Sequence, residues 1–300
     1  MPDEAYADSP EDRPPDPGAR VAGLVLVSTP IGNLGDFSSR ARQALAEADL
    51  ILCEDTRHSA RLLAATGVGT RTEPLHEYNE DARIAPVLGM LRAGRRIALV
   101  SDAGTPLVSD PGYRLVRAAI AEGLTVSAIP GPNAAVMALV LSGLPPQPFL
   151  FLGFPPPRPA ARRAAFGALR AAERAGLSAT LIWHEAPHRL AETLADMATA
   201  FGPRAAAVAR ELTKHFEEVR RGSLTELSEH YASHVARGEI TVLVGPPEED
   251  DQEDLDGQLT RALATHSVKD AAALVAAATG LPRKLVYARA LAMGRPENPA

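Results

Sequence analysis

Residues 97–112 read IALVSDAGTPLVSDPG. Four apolar residues, Ile97 to Val100, stand behind Arg95 and Arg96, the pattern of a strand buried on both faces of a parallel sheet. The apolar character stops at Ser101, Asp102, Ala103, Gly104, Thr105 and Pro106. A second polar turn, Ser109, Asp110, Pro111 and Gly112, then leads into the amphipathic run 113–121. Pro111 suits the first turn of that helix, where no N–H is needed. Ligands of open α/β sheets bind beyond the carboxyl ends of strands, and this loop has suitable chemistry. Gly104 permits close backbone approach, and Asp102 and Asp110 can accept hydrogen bonds from hydroxyl or amine groups. One acidic turn alone is equally an ordinary βα connection.

The same grammar recurs on either side. A strand at 24–27 ends in STPIGNLGD (28–36) before a helix at 39–48. A strand at 50–53 ends in EDTRH (54–58) before a helix at 59–66, and one near 71–75 ends in HEYNE (76–80) before a helix at 80–93 that Asn79 would cap. A strand at 125–129 ends in Pro130, Gly131, Pro132, Asn133 and Ala134, followed by a helix at 135–141. About five βα repeats predict a doubly wound, largely parallel sheet. If the Gly- and Pro-punctuated loops share its carboxyl edge, they line one crevice. The candidate ligand contacts are then Pro30, Gly32, Asn33, the run Ser101 to Pro106, and Pro130, Gly131, Pro132, Asn133 and Ala134. Neither a Gly-Lys-Ser/Thr phosphate loop nor a dinucleotide fingerprint is present, which favours a ligand without phosphates. Asp55 reads equally as an acid holding a ribose hydroxyl or, with Thr56, as a helix cap. Cys53 reads as a buried apolar residue.

Gly143 to Pro148 marks an expected domain boundary. Beyond it, strands at 149–153, 179–183, 205–209, 216–220 and 240–244 alternate with helices at 162–175, 187–200 and 224–236, giving a second α/β domain. His184, Glu185 and His188 lack a third convincing ligand for a metal, so none is expected. Residues 155–176 hold Arg158, Arg162, Arg163, Arg170 and Arg174 against Glu173, either a solvated helix face or a phosphate-positioning arm. The segments 267–278 and 283–292 read as a helical hairpin with Ser267 capping the first helix and Asp270 in the capping-box position. Its spacing resembles a helix-turn-helix, although most such hairpins only pack.

The net charge of −6 conceals a contrast. Residues 1–20 carry −4 and residues 248–256 carry −7, leaving +5 on the remainder, which is compatible with a nucleic-acid partner. The acidic, Pro-rich residues 1–22 are expected to be disordered. A single cysteine excludes a disulfide framework. With no signal peptide and no apolar run near 18 residues, a cytoplasmic protein without membrane spans is expected. The expected layout is a tail at 1–22, α/β domains at 23–145 and 146–246, an acidic linker at 247–257 and a helical hairpin at 258–294.

The loops STPIGNLGD, EDTRH, HEYNE, SDAGTPLVSDPG and PGPNA, with HEAPHRL (184–190) and ARELTK (209–214), resemble the bacterial 16S rRNA (cytidine-2′-O)-methyltransferases. These are similar in fold to the tetrapyrrole methylases. The resemblance runs from about residue 23 to 245, and SVKDAAA with GLPRKLVY extends it. It implies two α/β domains of tetrapyrrole-methylase type with S-adenosyl-L-methionine in the cleft between them, plus a small C-terminal helical segment. It also implies a homodimer that acts on 16S rRNA, within the small ribosomal subunit, at a cytidine 2′-hydroxyl of the decoding centre. The Pro-rich arm after Phe154 departs from the family pattern. Glu54, Asp55, His76, Glu77 and Lys214 are candidates for the base that takes the ribose proton, and Arg158, Arg162 and Arg163 for RNA contact. The competing readings are a small-molecule methyltransferase of tetrapyrrole type and a non-enzymatic ribosome-assembly factor that binds RNA.

Overall fold

The computed structural model describes residues 22–247, 255–279 and 281–293. Two compact units divide at Asn133/Ala134.

The first unit is a five-stranded parallel sheet of β1 (Gly23–Val27), β2 (Leu50–Cys53), β3 (Thr72–Pro74), β4 (Arg96–Leu99) and β5 (Val126–Ile129), in the order β3-β2-β4-β1-β5. Four helices cover it: α1 (Ser39–Ala46), α2 (Thr56–Thr66), α3 (Glu80–Arg92) and α4 (Tyr113–Ala121). Successive strand residues face opposite ways, so each apolar strand feeds two cores. Val25, Ile51 and Ala98 pack with Ala41 and Leu45 of α1 and Leu63 of α2. Leu24, Leu52, Ile97 and Leu99 pack with Val87 and Leu91 of α3 and Leu115 of α4. That two-sided demand is why these strands are uninterrupted apolar runs. Each fully buried Leu or Ile contributes roughly 1.5–3 kcal/mol. Cys53 is a buried free thiol whose pKa burial pushes up, as its apolar reading requires.

Asp55 caps α2, as one of its two readings has it, by accepting the Arg57 N–H at 2.8 Å, and the helix starts at Thr56, ahead of the expected Ser59. Asn79 does not cap α3 with its side chain; it accepts the His76 N–H at 2.9 Å and donates to the Pro74 carbonyl. The α4 N-cap, Gly112, has no side chain to offer, and the buried Glu80 of α3 accepts the Leu115 N–H at 3.1 Å instead.

The second unit begins with α5 (Ala134–Ser142), which packs on the second sheet. The boundary expected at residues 143–148 therefore lies before this helix, because its apolar faces are satisfied by β-strands that follow it. The sheet comprises β6 (Phe149–Phe151), β7 (Thr180–Glu185), β8 (Ala205–Arg210), β9 (Glu218–Ser223) and β10 (Ile240–Val244), in the order β6-β7-β10-β8-β9. Only β6 and β7 pair in parallel. Phe166 of α6 (Pro159–Arg174), Leu194 and Phe201 of α7 (Leu190–Phe201) and Leu227 of α8 (Leu224–Ser233) share a core with Leu181, Val208 and Val242. The strand expected at 216–220 is displaced to Glu218–Ser223, because antiparallel pairing sets Arg210 against Glu218. Glu218 to Ser223 has too little apolar alternation to announce that register itself.

Among the described residues of the C-terminal segment, the two helices of the expected hairpin, α10 (Val268–Thr279) and α11 (Arg283–Met293), are preceded by one more, α9 (Leu255–Thr265), and the three pack around Leu259, Ala272, Val275 and Val286. Helix α9 starts inside the stretch expected to be linker. Leu255, Leu259 and Leu263 give it an apolar stripe that the neighbouring acids obscure. Ser267 caps α10, its Oγ accepting the Asp270 N–H at 3.2 Å and donating to the Asp270 carboxylate at 2.6 Å. The expected tail and most of the linker lie outside the described residues.

Candidate active site

Strands β4, β1 and β5 are neighbours, so the loops that follow them meet. Thr29 and Gly104 exchange backbone hydrogen bonds at 2.9 and 3.1 Å. The Thr29 hydroxyl donates to the Ser101 carbonyl at 3.3 Å, and the Thr105 hydroxyl donates to the Pro132 carbonyl at 3.2 Å. Gly104 has φ +79°, and a Cβ there would press on Ile31 at 3.2 Å and the Pro132 oxygen at 3.5 Å. Gly131 lies against Ser28, where a Cβ would come within 2.8 Å. The glycines thus let three loops close on one another. Leu107 and Ser109 also hold positive φ, 72° and 70°. Such strain persists only where surroundings impose it and clusters at functional sites.

Strand β2 brings its own acids to this edge. The Asp102 carboxylate accepts the Asp55 N–H at 3.2 Å. Burial and the charge of nearby Asp102 raise the pKa of Glu54. Burial first, then Glu54 and Asp102, push Asp110 up to about 6. Carboxylates crowded this way disfavour ionisation together, and a cationic ligand would relieve them. Asp110, read with Asp102 as an acceptor for a ligand in this loop, was not among the nominated contact residues; its signal is the repeat of Ser-Asp at 101–102 and 109–110.

Of the candidate bases, Glu54, Asp55 and His76 lie within electrostatic reach of one another in the first unit, with different commitments. Asp55 is committed to Arg57, whose hydrogen bonds hold its carboxyl far below the usual carboxylate range. Glu77 is exposed. His76 contributes to the field at Glu54, and its Nδ1 is buried with no hydrogen-bond partner. Lys214 belongs to the second unit. Burial alone would lower its pKa, but Glu211 at 2.9 Å and Glu239 at 3.3 Å outweigh that and raise it, keeping the amine charged.

In the second unit, Glu185 is buried and accepts from the Thr193 hydroxyl at 2.5 Å and the Ala186 N–H at 2.7 Å. The Arg189 guanidinium donates to the Pro155 carbonyl at 2.7 Å, holding the Pro-rich arm. His184 Nδ1 meets the Thr241 hydroxyl at 3.1 Å, and burial lowers its pKa, leaving a neutral ring. Among the described residues no group of three potential ligands could hold a metal ion.

The arginine arm needs a correction. Arg162 is only 2% exposed, with Nε 2.7 Å from Asp196, so it anchors α6 to α7 and does not face solvent. Glu173 is buried too, pairing bidentately with Arg204 at 2.7 and 2.9 Å. Arg158 and Arg163 remain exposed.

Residues 23–228 match the family described as tetrapyrrole (corrin/porphyrin) methylases, and residues 249–294 match the RsmI C-terminal HTH domain. The chain is 47% identical to ribosomal RNA small subunit methyltransferase I of Mesorhizobium japonicum, over 89% of this chain and 91% of that protein. Identity to the Pseudomonas aeruginosa protein of the same name is 45%, covering 89% and 96%. The chain belongs to this methyltransferase family. Its fold is also that of solved methyltransferases: CobJ superposes with TM-score 0.57 at 23% identity, covering 75% of this chain and 94% of CobJ. Uroporphyrin-III-C-methyltransferase of Thermus thermophilus gives 0.51 at 21% identity, covering 74% and 94%. In family terms, the loops joined above form the carboxyl edge of the tetrapyrrole-methylase sheet.

Proposed function

We propose that this protein transfers the methyl group of S-adenosyl-L-methionine to the 2′-hydroxyl of a cytidine in the decoding centre of 16S rRNA, in the cytoplasm and as a homodimer. What carries the reading is the extent of similarity. The small-subunit rRNA methyltransferase relatives align over nearly the whole chain, including the C-terminal helices. CobJ and the uroporphyrin enzyme align over about three quarters of it.

The residues fit the cofactor on two counts. The glycine-closed loops offer backbone within reach of a ligand, and the crowded Glu54, Asp102 and Asp110 suit a molecule bearing ammonium and sulfonium charge. When bound, the cofactor supplies an already activated methyl group. Loops 29–36, 101–106 and 130–134 hold and orient it. Orienting two reactants can contribute roughly 7–11 kcal/mol. The proton leaving the ribose hydroxyl needs an acceptor, worth about 10²–10⁴-fold. Glu54 and Asp110 fit that role better than Asp55 or Lys214, because burial brings their pKa values toward neutrality. Arg158 and Arg163 hold the RNA backbone, supplying register and not sequence.

Incubation with tritiated S-adenosyl-L-methionine and small ribosomal subunits, free rRNA or uroporphyrinogen tests the reading. Label is expected in RNA, as a ribose-methylated cytidine by nucleoside mass spectrometry. A methylated base, or label in the tetrapyrrole, would replace it.

A further inference from the structure

The connection from β8 to β9 is built to present one aromatic ring. Glu211 and Thr213 both hold left-handed backbone, φ 51° and 66°, which such residues adopt only when held there. The Glu211 carboxylate accepts the Glu239 N–H at 3.0 Å and the Lys214 ammonium at 2.9 Å, and the Thr213 N–H donates to Glu217 at 2.6 Å. Phe216 emerges from this frame 68% exposed, with the His215 ring edge-on to it at 4.8 Å. Beneath it lies a hollow of about 250 Å³ lined by Arg210, Glu211, Phe216, Arg237 and Gly238. Gly238 holds φ +84°, and a Cβ there would run into the Glu211 side chain, so glycine keeps this wall intact.

The cations here differ in their commitments. Arg210 is paired with Glu218 and Lys214 with Glu211 and Glu239. The exposed Arg237 guanidinium has neither an ion pair nor a hydrogen bond to any described residue. An open aromatic face beside an uncommitted planar cation suits a flat, anionic, weakly hydrated ligand. The hollow has room for one base and its ribose. A base inside a duplex cannot reach such a ring, whereas an unpaired one can.

We propose that this hollow binds one unpaired nucleotide of an RNA strand, its base stacked on Phe216 and its phosphate on Arg237. The proposal rests on the reading that the substrate is RNA, and adds an interaction that selects single-stranded over paired RNA.

The test uses the full chain, a short single-stranded oligoribonucleotide and the same oligonucleotide in a duplex, with filter binding across a salt series. Phe216→Ala should weaken single-strand binding about tenfold and leave the salt slope unchanged. Arg237→Gln should weaken it and lower the slope of log affinity against log salt by about 0.7. Phe216→Trp should keep the affinity and place an indole on the surface whose emission the bound base quenches. The one native tryptophan, Trp183, is buried in the core and serves as the silent control. Wild-type affinity in Phe216→Ala, or an unquenched Phe216→Trp that still binds, overturns the proposal. So does a wild-type chain that binds no single strand. Methyl transfer to small subunits is scored separately. Quenching without ribose methylation would leave the hollow standing and remove the proposed reaction, and methylation with an indifferent Phe216 would do the reverse.

Discussion

Asp110 is the residue at which charge and stability meet. Its pKa of about 6, against an ordinary 3.8, means that folding takes up a proton between those values. The unfavourable contribution is absent below about 3.8, develops as the pH rises, and is complete above about 6. Asp110→Asn should therefore raise the melting temperature at pH 7.5, with the gain shrinking toward pH 4.5. Calorimetry at the two pH values would contradict this account if the variant's shift were the same at both. Arg162 shows a different use of charge. Arg162 is almost unexposed with its Nε 2.7 Å from Asp196, so Arg162→Gln removes the nearest cation from a partly buried carboxylate and should cost about 1–3 kcal/mol in urea unfolding. Its RNA affinity, per folded molecule, should match the wild type. A variant of unaltered stability but weakened RNA binding would restore Arg162 to the interface.

At the scale of elements, the central loop is held at both ends. Its entry is fixed by the bonds between Thr29 and Gly104, and its exit by Glu80, which reaches from α3 to the first turn of α4. Glu80 also lies 3.3 Å from the half-exposed Arg114. Glu80→Ala removes the acceptor of a buried N–H and should destabilise by about 1–3 kcal/mol, read as a lower urea midpoint. Gly104→Val should act mainly on ligand binding. A branched residue is strained at φ +79°, and its side chain would press on Ile31 and on the carbonyl of Pro132. Weaker S-adenosyl-L-methionine binding by calorimetry is expected, and unchanged affinity would take this loop out of the cofactor site. Regular elements of both units, by contrast, were plain in the sequence: Leu50–Cys53, Tyr113–Ala121 and Ile240–Val244 match the sequence pattern residue for residue. Apolar period and Gly/Pro punctuation are local properties.

At the scale of the molecule, the acidic stretches mask a basic remainder, and the basic arm is smaller than its composition suggested. Of the three arginines nominated for RNA, Arg158 and Arg163 face solvent and Arg162 does not. Replacing Arg158 and Arg163 together by Gln should lower the salt slope of RNA binding by about 0.7–0.9 for each phosphate that is no longer neutralised. Affinity for S-adenosyl-L-methionine should stay the same, since its proposed loops belong to other elements. Filter binding with calorimetry of the cofactor decides this, and a wild-type salt slope would make the arm an ordinary solvated helix face.

The order of strands and helices and the polar loops at strand ends could be read from residues alone, because each depends on neighbours a few positions away. The resemblance in those loops pointed to the family that the whole-chain matches establish. Tertiary structure decided the rest. Glu54 and Asp110 influence each other only because β2 and β4 lie side by side. Arg162 is buried because α7 presents Asp196 to it, and α5 leaves the first unit because the second sheet accepts its apolar faces. Phe216 is exposed because pairing between β8 and β9 begins beyond it. Burial, register and the field at a titrating group are sums over residues far apart in sequence, and only the folded chain brings those terms together.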